Sequence, residues 1–161
     1  MLHHMPDKGI RYGLQTMCEG RGQAKCHHCG VAVTATDSRS AAFVEYRDNV
    51  MVITINRPEA RNAVNGAVSI VVGDALEEAH DNPDVRAVVI TGAGDNSLCA
   101  DLKAIARREN PYHPHHGEWG SAGYVHHFID KPNSAAVSGT ALDDGAEPAL
   151  ASDLVVADEH T

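Results

Sequence analysis

Phe43-Val44-Glu45-Tyr46-Arg47, then Asp48-Asn49, then Val50-Met51-Val52-Ile53-Thr54-Ile55 sets the architecture of this chain. Both runs are rich in β-branched and aromatic residues, and the pair between them is turn-forming, so the segment reads as two strands joined in a hairpin. Arg57-Pro58 ends the second strand, because proline has no amide to give to a ladder. Asn65 is placed to cap a helix, and Val68, Val71, Val72, Ala75, Leu76 and Ala79 recur behind it at helical spacing. Asp81-Asn82-Pro83 closes that helix, which completes a strand-strand-helix unit.

Downstream, Val85 to Thr91 is apolar with few interruptions, as in a parallel strand covered on both faces, and runs into Gly92-Ala93-Gly94-Asp95-Asn96. A short helix around Leu102 to Arg108 follows. Next come a Pro-rich stretch with His113, His115 and His116, read as a solvated loop, and a helix from Trp119 to Ile129. Lys131-Pro132 leads into a strand at Ala135 to Ser138, a short helix at Gly145 to Ala151 and a strand at Leu154 to Ala157. Strands separated by helices imply right-handed crossovers and an α/β layer fold. Ligands in such folds sit at the carboxyl ends of strands, so the loops at 92–101 and 139–145 are where chemistry is expected.

The 161 residues, 43% of them apolar, suffice for one domain with a real core. A formal charge of −9 argues against nucleic acid as a partner, since binding phosphates requires basic stripes. The longest apolar runs are far short of a membrane span and the first twenty residues lack a signal-type stretch, which points to the cytoplasm and to no membrane partner. Residues 1 to 41 differ from the rest: Gly, Cys, His and small polar residues dominate, and apolar periodicity begins only at Phe43. Cys26-His27-His28-Cys29 has the spacing of a zinc half-site, for which His27, His28 or Cys18 would have to complete the ligands. No second Cys-x-x-Cys pair exists, so free thiols in a loose segment are the favoured reading and no metal is assigned.

Ile55-Asn56-Arg57-Pro58-Glu59-Ala60-Arg61-Asn62-Ala63 resembles the strand-to-loop signature of the enoyl-CoA hydratase/isomerase (crotonase) family. Three further segments follow in that family's order: Val85 to Gly92, Ser97-Leu98-Cys99-Ala100-Asp101-Leu102-Lys103, and Ala136-Val137-Ser138-Gly139 through Glu147. The resemblance implies a crotonase-like ββα spiral over residues 42–161, incomplete at the carboxyl end, and an acyl-CoA thioester as substrate. It implies no cofactor, CoA entering only as part of the substrate, and a homotrimer or hexamer for intact members. Carried over position by position, the amides of Ala100 and Asp144 fall where the family holds the thioester oxyanion, and each such donor is worth about a hundredfold or more in rate. Glu147 falls at the first of two catalytic glutamates, and the second would lie beyond Thr161. Arg61, Ala63, Asp101 and Leu102 fall along the stretch that lines the CoA channel. Separately, residues 8 to 24 are similar to the carboxyl-terminal end of thiolases, Cys18-Glu19-Gly20 matching their late Cys-x-Gly motif.

The chain departs from the family pattern in both loops. Where the family has Ala-Gly-Ala before the aspartate, only Ala100 stands here, and where it has three glycines this chain has Asp143-Asp144-Gly145. Aspartate puts a Cβ and a negative charge beside a developing oxyanion. The Ala100 and Asp144 amides are therefore expected not to converge on one point, and activity is expected to be impaired. Plainer roles stand beside these. Asp144 to Glu147 reads as a capping box with Asp144 at the cap and Glu147 at its third position. Asp101 is read as ordering its loop, and His126-His127 as lying on a helix flank.

Overall fold

The hairpin is present: β1 (Ala42–Arg47) pairs antiparallel with β2 (Val50–Ile55), Arg47 opposite Val50, with Asp48 at φ 54° in the turn. The structure, a computed structural model, describes residues 40–94, 101–139, 141, 145–159 and 161. From β2 the chain enters α1 (Gly66–Asp81), whose first turn is closed by the Asn65 side chain accepting from the Val68 amide. It ends at Asn82, as the Asp-Asn-Pro sequence requires. β3 (Ala87–Gly92), β4 (Asn133–Val137) and β5 (Leu154–Ala157) then add in chain order, each parallel to its predecessor, giving a five-stranded mixed sheet β1-β2-β3-β4-β5. Two short helices complete the described chain: α2 (Leu102–Ala106) after β3, and α3 (Glu147–Ala151), which packs against β4 and leads to Asp153 beside Asn133 at the start of that strand.

Met51, Ile53 and Ile55 of β2, Val88 and Ile90 of β3, and Ala135 and Val137 of β4 form the buried core with Val68, Val72, Leu76 and Ala79 of α1. The period of two along each strand and of 3.6 along the helix brings these residues to one layer. Val52, Val89 and Ala136, which alternate with them, are only half-buried. Coverage of both faces, expected from the apolar β3 sequence, is therefore not what the described residues provide. At the far end of the layer, the Tyr46 hydroxyl donates to Glu78 and ties β1 to α1. Burial first, and then that bond to a carboxylate, push the phenol up to about 12.

The helix expected over Trp119 to Ile129 is not formed. In its place are two 3-10 turns, Gly117–Trp119 and Ser121–Gly123, followed by an irregular run into β4. Gly120 (φ 76°), Ala122 (φ 60°) and Gly123 (φ 63°) adopt left-handed backbone, which an α-helix cannot contain. Packing is the cause. A Cβ on Gly123 would lie 2.4 Å from the Ser69 carbonyl oxygen, so the segment presses its backbone directly onto α1. His113, read as solvated, is 5% exposed: its ring lies 4.9 Å from that of Trp119, and its Nε2 faces Asp74 at 3.3 Å.

Candidate active site

The carboxyl ends of β2, β3 and β4 lie at one edge of the sheet, and the chain after β2 is locked there by Asn62. That residue is fully buried at φ 52°; its Oδ1 accepts from the Arg57 amide at 3.0 Å and its Nδ2 donates to the Ala93 carbonyl at 2.9 Å. The Arg57 guanidinium, held in the same loop, donates to the Ala63 carbonyl at 2.6 Å and to Asp101 Oδ2 at 2.9 Å. Asp101 in turn accepts from the Lys103 and Ala104 amides at 3.1 and 3.0 Å, which makes it the cap of α2. Burial on its own would raise this carboxyl; the Ala104 amide, the Arg57 guanidinium and the Lys103 amide outweigh it and hold the group below the usual carboxylate value. The loop-ordering role read for Asp101 matches this geometry.

Glu147 is the first residue of α3, with Pro148 behind it. Its capping-box reading is corrected: the cap of α3 is Ala146, which makes no side-chain bond, so Glu147 stands at the first helical position rather than the third. Glu147, exposed to solvent, is one of the residues lining a cleft of about 190 Å³, with Val64, Asp101, Ala104, Tyr112, Gly120, Ser121 and His126. Of the residues named from sequence, the cleft brings Glu147 and Asp101 together. Arg61 is exposed on the rim of the preceding loop, Ala63 is buried beside Val64, and Leu102 opens α2. Ala100 and Asp144, the expected oxyanion donors, and Asp143 lie outside the described residues, as do Cys99 and the Cys26–Cys29 pair. Among the described residues no group of three or more His, Cys, Asp or Glu is placed to hold a metal ion.

Two features of this site escaped the sequence. Arg57 and Asp101 are 44 positions apart, and nothing local marks them as a pair. His126 lines the cleft from the irregular run, whereas its neighbour His127 stacks on Trp119 (4.0 Å, 13° between planes) and bonds Glu77 at 2.8 Å.

A mixed sheet opened by a hairpin, with an acidic cleft at the carboxyl ends of its parallel strands, defines an α/β protein of the crotonase fold. Residues 45–161 match the Enoyl-CoA hydratase/isomerase family, and the chain belongs to that family. It is 40% identical over 114 residues to a carnitinyl-CoA dehydratase of Salmonella enteritidis, covering 69% of this chain and 43% of that one. Among solved structures it is similar to a carnitinyl-CoA dehydratase from Mycobacterium avium (76% identity, TM-score 0.73, 74% of this chain, 48% of that one). An enoyl-CoA hydratase from Mycobacterium marinum is also similar (42% identity, TM-score 0.66, 74% of this chain, 46% of that one). The chain thus spans about half the length of the relatives it matches. These relatives do not support the thiolase resemblance of residues 8 to 24, which lie outside the described residues. No helix among the described residues is long and apolar enough to cross a membrane.

Proposed function

We propose that residues 42–161 bind an acyl-CoA thioester and act slowly on the acyl part as an enoyl-CoA hydratase, with Glu147 exchanging a proton with water. Supporting this is one observation above others: Glu147, which the family resemblance singles out, lines a cleft beside the loops after the parallel strands, in a chain that over 74% of its length is 76% identical to part of a solved carnitinyl-CoA dehydratase. A hydratase and a dehydratase run one equilibrium in opposite directions, so both relatives are consistent with one chemistry here. In that chemistry the thioester carbonyl accepts charge as water adds to the β-carbon, and a general base takes the water proton for a gain of about 10²–10⁴-fold. Arg61 and Ala63 flank the entry expected for the CoA portion.

A second reading, acyl-CoA binding without turnover, is favoured by Asp143 and Asp144 in place of glycines and by the short loop before Asp101. The experiment is to follow loss of enoyl absorbance with a short 2-enoyl-CoA, beside binding of the saturated thioester. Turnover about a thousandfold below that of an intact hydratase, abolished by Glu147→Gln with binding retained, is the expected result. Binding without any turnover would move the conclusion to the second reading, and absence of both would overturn the acyl-CoA assignment.

A further inference from the structure

We propose that Arg57 is a positioning residue of this cleft that acts through Asp101: its guanidinium cancels the carboxylate charge fixed in the wall and so admits an anionic thioester; the inference rests on the acyl-CoA reading above. An acyl-CoA brings the negative charge of its phosphates. The residues lining the cleft include two carboxylates, Asp101 and Glu147, and no Lys or Arg. Like charges therefore meet there unless one of the two is neutralised from behind.

Arg57 is placed to do this. It does not line the cleft, its side chain is 18% exposed against 12% for that of Asp101, and its Nη1 lies 2.9 Å from Asp101 Oδ2. The other arginine–carboxylate pairs among the described residues, Arg47–Glu45 and Arg107–Glu109, join residues two positions apart at 3.3 Å and lie nearer solvent. Water and salt weaken such pairs, whereas an enclosed pair is screened far less. Both partners are also held in place. The Arg57 amide donates to Asn62 Oδ1, and the same guanidinium nitrogen that meets Asp101 donates to the Ala63 carbonyl, next to Val64 of the cleft wall. Asp101 Oδ1 takes the Lys103 and Ala104 amides. The carboxylate is thus pinned at the wall, and what it presents to a ligand depends on the guanidinium behind it. Arg61 and Lys103, the cations nearest to the two partners in sequence, are exposed.

A purely structural tie would behave differently from a cancelled charge. Breaking a tie from either side loosens the loop after β2 from α2 and weakens binding in both cases. Cancellation gives opposite signs: without Arg57 a bare anion is left in the wall, and without the Asp101 charge a bare cation is left behind it.

The test measures binding of butyryl-CoA by titration calorimetry to the unaltered chain, Arg57→Met, Asp101→Asn and the double variant, at about 10 mM and about 1 M salt, with a urea midpoint for each. At the lower salt, where charges act over roughly 30 Å, Arg57→Met should bind about tenfold more weakly and Asp101→Asn about threefold more tightly, although both are less stable. The double variant should return to within about twofold of the unaltered chain. At the higher salt, where the reach is roughly 3 Å, all four should converge to within about threefold. Weaker binding by both single variants, differences that persist undiminished at high salt, or equal binding by all four at low salt overturns the role of Arg57 and leaves acyl-CoA binding standing. Should Arg57→Met fail to fold, Asp101→Asn decides: tighter, salt-sensitive binding supports the proposal, and unchanged or weaker binding overturns it. An unaltered chain that binds no butyryl-CoA at either salt overturns the acyl-CoA reading and this inference together.

Discussion

Asn62 carries more of the site than its size suggests, because it satisfies two backbone groups from different strands' ends while sitting in left-handed backbone that most side chains avoid. Asn62→Ala would strand the Arg57 amide and the Ala93 carbonyl in a buried place and keep the strained φ. The expected cost is about 2–4 kcal/mol, read as a lower urea midpoint, and Asn62→Gly should recover only the conformational part. A loss below about 0.5 kcal/mol for Asn62→Ala would show that water or a rearranged loop replaces those bonds. The residue lies inside a segment legible in sequence as family-like, yet its role was not, since a polar residue in a loop gives no sign of being fully buried. Glu147, by contrast, was legible by position and misread in its local role, because helix starts are read from cap residues and this one is capped by Ala146 without a side-chain bond.

At the scale of elements, α2 is too short to be stable from its own hydrogen bonds and depends on Asp101, which joins it to the loop after β2. Asp101→Asn keeps a competent cap and removes the charge, isolating the tie to Arg57. The folded carboxyl is depressed, so its contribution is present above the unfolded value of about 3.9 and is lost as pH falls through the lower folded value. The variant should therefore be less stable than the unaltered chain near neutrality, with the gap in urea midpoint closing as pH falls below about 4. A gap that persists unchanged in acid would mean that the charge is not what stabilises. The hairpin, α1 and β3 to β5 were legible because period and turn chemistry agree in each. The run from His113 to Ile129 was not: its apolar spacing suits a helix, and only contact with α1, through Gly123 against Ser69, makes left-handed turns the better solution.

Across the whole molecule, burial is lopsided. The layer between the sheet and α1 is closed, whereas Leu150 (83% exposed) of α3 and Leu154 (52%) and Val155 (51%) of β5, the outermost strand among the described residues, are open, as is Phe128 (85%). A strand with an open edge and apolar side chains is a template for pairing with another chain. The described fold should self-associate as concentration rises, and Leu154→Lys should shift it toward monomer in sedimentation velocity without lowering its urea midpoint by more than about 1 kcal/mol. An unchanged distribution would place the association, if any, on another face.

The clamp of His116 and His127 on the two faces of Trp119 has a photophysical consequence. The chain contains a single tryptophan, so all indole emission comes from that one ring. Two imidazole rings are stacked on that indole in the folded chain, so unfolding, which strips them away, changes its surroundings and with them its emission. Loss of this stacked arrangement can thus be watched in the native chain, with no dye attached and no residue exchanged.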